Sequence, residues 1–257
     1  MIDKTRIKNQ LLSMGVDHLM AEAPVDRTTQ PQSEKPNPDP DPVPKKTVPI
    51  NTVVAKGISA QVQETEKLAA SAQTLEELKR VIQNYEGLTV KKTALNMVFC
   101  DGNPKAKVML VGEAPGAEED KQGKPFVGQS GQLLRKIFRF AGFDLDHIYI
   151  SNVLNWRPPG NRTPTPQEIA IARPFIQRHI ELVNPEIVVM VGGTSCKALI
   201  DTKEGITKLR GKWYDLDFVD SNAKVKATAI YHPAYLMRSP SRKKDVWQDV
   251  LTLKDYI

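Results

Sequence analysis

From residue 107 onward, short apolar runs alternate with longer stretches whose apolar residues recur every three or four positions. KVMLVG (107–112), IYISNV (148–153), EIVVMVG (186–192) and VKATAIY (225–231) are rich in β-branched residues and bounded by turn formers, the pattern of strands covered on both faces. Between the first two, GQLLRKIFRFAGF (131–143) has helical spacing. Thr165-Pro166-Gln167-Glu168 combines an N-cap hydroxyl, a proline at the first helical position and a glutamate placed to reach back to the cap. The helix it opens turns Ile169, Ala172, Phe175, Ile176 and Ile180 to one side. GTSCKALI (193–200) reads as a short helix, and SRKKDVWQDVLTLKDYI (241–257) as a closing one. Strand and helix in alternation predict a three-layer α/β/α fold around a central, mostly parallel four-stranded sheet.

The first quarter of the chain lacks this rhythm. Residues 1–22 fit one short helix, with Ile7, Leu11, Leu12 and Met14 roughly on one side. Residues 23–57 read as a disordered linker: eight of the 19 prolines fall in 24–50, where there is almost nothing to bury. From about Ile58 the composition turns helical, and Thr74-Leu75-Glu76-Glu77 fits a capping box ahead of Leu75, Leu78, Val81, Ile82 and Tyr85. The expected organisation is therefore a short helix over 1–22, a linker over 23–57 and a catalytic domain over 58–257.

Composition narrows the picture only modestly. A length of 257 residues and 40% hydrophobic content suffice for a sizeable core. The net charge of +6 leans toward polyanionic partners. The two cysteines, Cys100 and Cys196, form neither a CxxC nor a ligand cluster, which argues against a zinc site or a disulfide scaffold. No apolar run has the length of a signal peptide or a membrane span, so a reduced cytoplasm and no membrane partner are expected.

Candidate chemistry concentrates where each strand ends, the edge at which parallel sheets hold ligands. GEAPG follows the first strand, and its small residues let backbone N–H groups approach a ligand; the spacing is not that of a dinucleotide loop. Phe126, isolated within KPFVG, suits a core position or a stacking platform. Asn152 ends the second strand, where an amide caps a turn or reads a base edge with one donor and one acceptor. GGTS after the third strand lacks phosphate-loop spacing, and Gly192-Gly193 suit a helix packed closely on the sheet. His232 follows the fourth strand with a rigid proline behind it.

In order along the chain, GEAPGxxED, GKPFVGxSGxLL, YISNVLNWRPPGNRTPTPQEI and YHPAYLMR resemble the family 4 uracil-DNA glycosylases over roughly residues 85–257. The resemblance implies a base-excision repair enzyme that flips deoxyuridine from DNA and hydrolyses its N-glycosidic bond, acting as a monomer on uracil-containing DNA. It implies that His232 donates to the uracil O2, with Glu113 orienting water or the sugar cation, and that the Glu113-Ala114 turn supplies further N–H donors. Asn152 would pair with the base edge, Phe126 stack on the ring, and Glu119 stand against C5, where a thymine methyl would clash. Arg157, Arg162 and Arg238, with Arg242, Lys243 and Lys244, would face phosphates, and Leu236 and Met237 would fill the gap left by the flipped base.

Two departures accompany the resemblance. Ala114 fills the place where the related family 1 enzymes carry an activating aspartate. The family's four cysteine ligands to a [4Fe–4S] cluster correspond here to Tyr85, Leu88, Trp156 and Ala172, none of which ligates iron, and a four-thiolate cluster cannot be built from two cysteines. The expectation is a relative with no cofactor. These departures leave open a protein that grips uracil or abasic sites with weak turnover; a metal-dependent nucleotide hydrolase built on the GAEED acids is a further alternative.

Overall fold

The computed structural model describes residues 51–144, 147–218 and 224–256. Its centre is a six-stranded sheet in the order β1-β3-β2-β4-β6-β5. The strands are β1 (Asp101–Gly102), β2 (Val108–Gly112), β3 (Ile148–Asn152), β4 (Ile187–Val191), β5 (Trp213–Asp217) and β6 (Lys224–Ile230). The four strands expected from sequence form the parallel centre, β3-β2-β4-β6. Two antiparallel edges are added to the expected four: β1 on β3 and β5 on β6. At two residues β1 is too short for periodicity, and β5 has a solvent-facing side that interrupts its apolar pattern.

Side-chain alternation along the parallel strands feeds two cores. Met109, Val111, Tyr149, Val188, Met190, Ala227 and Ala229 face one layer. That layer is built from α1 (Asn51–Ser71), α2 (Leu75–Asn84), α5 (Pro166–Val183) and α6 (Gly193–Ile200). Val108, Leu110, Ile148, Ile150, Val189 and Ile230 face the other. There α4 (Gln129–Phe140), α8 (Pro233–Arg238) and α9 (Lys243–Thr252) contribute Leu134, Phe138, Leu236, Val246 and Val250. Two short helices, α3 (Ala117–Gln122) and α7 (Ile206–Leu209), lie in the connections.

Local signals behave as the sequence predicts at α5. Thr165 Oγ1 accepts from the Glu168 N–H at 3.2 Å while Glu168 Oε2 accepts from the Thr165 N–H at 2.8 Å, a reciprocal capping box with Pro166 at the first position. The linker boundary is corrected. Helix α1 begins at Asn51, inside the segment assigned to a linker reaching residue 57. The expected helix over 1–22 and the rest of the linker lie outside the described residues. No described helix is long and apolar enough to cross a membrane.

Candidate active site

Parallel strands bring four carboxyl ends together, and the chain order places β3 on one side of β2 and β4 on the other. The crevice of such a sheet opens above that reversal, over the end of β2. There a cavity of about 360 Å³ is lined by the loop after β2 (Glu113, Ala114, Pro115, Gly116, Glu119), by Phe126, and by Asn152 at the end of β3. Asn161 and Arg162 close one side; His232, Tyr235 and Arg238 close another.

Gly112, Asn152 and Phe126 meet at the floor. Gly112 ends β2 opposite Asn152, and a Cβ on Gly112 would collide with Asn152 Oδ1 and with the Phe126 ring. Asn152 is 2% exposed, and its side-chain amide has no hydrogen-bond partner among the described residues. The amide faces the cavity, where a ligand edge offering one donor and one acceptor suits it. Phe126 is buried with φ at +54°, a left-handed conformation that strains a bulky side chain by roughly 1–3 kcal/mol. Its ring centroid lies 6.0 Å from that of His232.

His232 caps α8, and its Nδ1 accepts the Ala234 N–H at 3.2 Å. That bond fixes the neutral tautomer with the proton on Nε2. Burial, helped by nearby Arg238 and opposed by Glu119, pushes the imidazole down to about 4, so at neutral pH it is an uncharged N–H donor. Gly192 at φ +99° packs beneath it, where a Cβ would come within 3.0 Å of the His232 Cβ.

Glu113 is held from the side: its Oε2 accepts the Thr194 hydroxyl at 2.7 Å, leaving Oε1 for the cavity. Thr194 belongs to the GGTS segment after β4. The segment's glycines allow the close packing that the sequence predicts, and its place at a strand end also brings this hydroxyl, which the sequence analysis does not single out, to the site.

The acidic run that suggested metal chemistry is committed elsewhere. Glu118 pairs with Lys121 at 2.8 Å. Glu119 accepts the Gly116 N–H at 3.2 Å and the Gly128 N–H at 2.8 Å, one carboxylate tying the two halves of the loop into a wall. Asp120 accepts the Leu95 and Asn96 N–H groups at 2.8 and 3.1 Å. Among the described residues, no group of three His, Cys, Asp or Glu side chains is placed to hold a metal ion.

Arg238 lines the cavity and is exposed, as a phosphate contact requires. Arg242, Lys243 and Lys244 are exposed beyond it. Arg162 lines the cavity but also forks onto Glu168 at 2.8 and 2.7 Å, tying its loop to the start of α5. Arg157 Nε donates to Asn161 Oδ1 at 2.7 Å, bracing the turn formed by Gly160 and Asn161, both at positive φ. Met237 is 45% exposed at the rim. Leu236 is a correction: it is fully buried in the core beneath α8 and is not available to enter DNA, because successive residues of a helix point about 100° apart and the packing turns Leu236 inward and Met237 outward.

The four positions matched to cluster cysteines lie together in the apolar core. Tyr85, Leu88, Trp156 and Ala172 are all buried in one cluster, and the Tyr85 ring meets Phe175 edge-on at 5.6 Å. Lys91 lies over the Trp156 ring at 5.8 Å and donates to the Gln83 carbonyl at 2.6 Å. Cys196 is fully buried with its thiol pushed up to about 12 by burial, and Cys100 is half-buried elsewhere on the same core. The side chains present do not fit a four-thiolate cluster.

A mostly parallel α/β/α sheet whose pocket, above the reversal point, gathers an aromatic ring, an amide and an imidazole suits a flat ligand with a polar edge. Comparison narrows this. Residues 99–251 match the model of the uracil DNA glycosylase superfamily, and the chain belongs to that superfamily. It is 39% identical over 165 residues to a type-4 uracil-DNA glycosylase of Thermotoga maritima, spanning 63% of this chain and 83% of that protein. It is 34% identical over 181 residues to one from Archaeoglobus fulgidus, spanning 69% of this chain and 90% of that protein. A type-5 uracil-DNA glycosylase of Thermus thermophilus is 30% identical over 115 residues.

Proposed function

We propose that the protein is a uracil-DNA glycosylase of the type-4 kind that hydrolyses the N-glycosidic bond of deoxyuridine in DNA, working as a cytoplasmic monomer without a cofactor. The observation that carries the chemistry is the convergence of Phe126, the unpartnered Asn152 amide and the neutral His232 on one cavity.

Uracil leaves as an anion, so the site must stabilise charge that grows on the base as the bond to the sugar breaks. The His232 Nε2–H donates to that oxygen; an uncharged imidazole does so without surrendering a proton. The Asn152 amide accepts from N3–H and donates to O4, selecting uracil over cytosine. Phe126 covers one face of the ring. The Glu119-braced wall stands beside the C5 edge, where a methyl group would need space. Glu113, held by Thr194, leaves one carboxylate oxygen toward the sugar, where it stabilises the developing cation and orients the attacking water. Ala114 supplies no carboxylate at the adjacent position. Arg238 and its exposed neighbours meet the DNA backbone, and Met237 alone of the two rim candidates fills the vacated stack.

A cluster-free chain is supported by the donor set: four non-ligating side chains at the matched positions, and two cysteines in the whole sequence. The test is incubation with a uracil-containing oligonucleotide in the presence of a chelator, followed by chromatography for free base. Release of uracil is expected; a gel shift with no released base would favour a binding protein, and rescue by a divalent ion would favour a metal-dependent hydrolase.

A further inference from the structure

Phe126 sits in a backbone conformation that a bulky residue leaves when free to do so. Two residues of α4 bear directly on the Phe126 backbone, and a third backs one of them. Gly131, in the first turn of α4, lacks the side chain that would overlap the Phe126 backbone, so helix and loop lie in direct contact. One turn further along α4, Arg135 donates from Nε to the Phe126 carbonyl at 3.1 Å and from Nη2 to the Pro125 carbonyl at 3.4 Å. The same Nη2 lies 2.5 Å from Asp101 Oδ2 on β1, the short edge strand. One planar guanidinium therefore gathers two successive carbonyls of the strained loop and anchors them to the sheet edge. Its fork geometry matches this task, which the single ammonium of a lysine meets only in part.

We infer that Arg135, oriented by Asp101, is a positioning residue that locks the Phe126 peptide in its left-handed conformation and thereby fixes the ring against the base. This rests on the uracil reading of the pocket. It adds a determinant outside the cavity lining and gives the two-residue strand β1 a purpose: to carry the carboxylate. Without the clamp the 125–128 segment relaxes toward negative φ, and the ring leaves the wall it shares with Gly112 and Asn152.

The experiment is a double-mutant cycle between Arg135→Gln and Phe126→Leu, read by inhibition with free uracil, by KM and kcat on uracil-containing DNA, and by affinity for abasic-site DNA. Stacking of a base on an aromatic ring is strong enough that Arg135→Gln alone should weaken uracil inhibition and raise KM by about tenfold. Abasic-site affinity, which needs no stacked base, should hold. In the Phe126→Leu background Arg135→Gln should add no further loss, and Arg135→Lys should recover part of the wild-type behaviour. Equal losses in both backgrounds, or a loss confined to abasic-site DNA, would overturn the inference and make Arg135 a stability or phosphate residue. If Arg135→Gln does not fold, Asp101→Asn takes its place: a smaller loss of uracil inhibition supports the clamp, and unchanged inhibition overturns it. A wild-type protein that frees no uracil and is not inhibited by it overturns the function and the inference together, whereas additive losses in an active enzyme remove the clamp alone.

Discussion

His232 holds its proton on one nitrogen because the backbone of its own helix occupies the other. On the proposed mechanism, replacing it with alanine removes a single donor to the growing oxyanion, so the single-turnover rate should fall by about 10²–10³ while affinity for uncleavable uracil DNA changes little. Asn152→Ala should lose both rate and discrimination between uracil and cytosine, since in that mechanism it reads the base before the bond breaks. The acid side of the histidine is also checkable. Its folded value of about 4 lies below the ordinary 6.5, so between those values the unfolded chain binds the proton and the folded one does not. Its contribution to stability is intact above about 6.5 and declines as the pH drops toward about 4. NMR of the labelled imidazole should show a neutral ring with protonated Nε2 down to about pH 5; titration near 6.5 would sink the proposed donor.

At the scale of elements, the site is an agreement between strand ends and the helices that follow them. The Thr194 hydroxyl reaches across from the first turn of α6 to hold Glu113 at the end of β2. A hydrogen bond to a charged group contributes about 1.5–3 kcal/mol, so Thr194→Val should lower the single-turnover rate roughly tenfold with little change in melting temperature, and Thr194→Ser should restore it. A valine variant at full rate would remove Thr194 from the site. The parallel strands and their order of chemistry were legible in the sequence because each is a dense apolar run ending in a distinctive residue. Strand β5 hid its signal: Tyr214, Leu216 and Phe218 alternate toward the core, but charged residues at 215 and 217 face out and suggest a loop. Partnerships were the least legible. Nothing in GAEED tells that Glu119 will bind two loop amides, or that Arg162 will turn to Glu168, because those choices depend on what the fold brings within hydrogen-bonding reach. Leu236 failed for a related reason: adjacent residues on a six-residue helix share no face, and only the packing decides which one is buried.

Across the whole molecule, helix α1 belongs to the catalytic body. It packs along α5, burying Thr65, Ala69 and Ala72, and Arg178 of α5 donates to the Ala72 carbonyl at 2.9 Å. A chain beginning at Asn51 should therefore melt within a few degrees of the full protein and excise uracil at a similar rate. A chain beginning at Gln73 should lose stability sharply, as calorimetry of the two would report. Purified without added metal, the protein should be colourless, with no visible absorption band and far less than one iron per chain; stoichiometric iron and sulfide after anaerobic purification would refute this.

The buried corner formed by Tyr85, Leu88, Trp156 and Ala172 carries one further consequence, which concerns the conditions under which repair continues. Peroxide, nitric oxide and iron starvation strike proteins whose architecture depends on thiolate-bound iron, and they do so when DNA damage is heaviest. Here the equivalent corner is hydrocarbon and aromatic packing, and one of the chain's two thiols is sealed within the core. Excision of uracil by this protein should thus be insensitive to oxidant load and metal supply, a form of robustness set by four buried side chains.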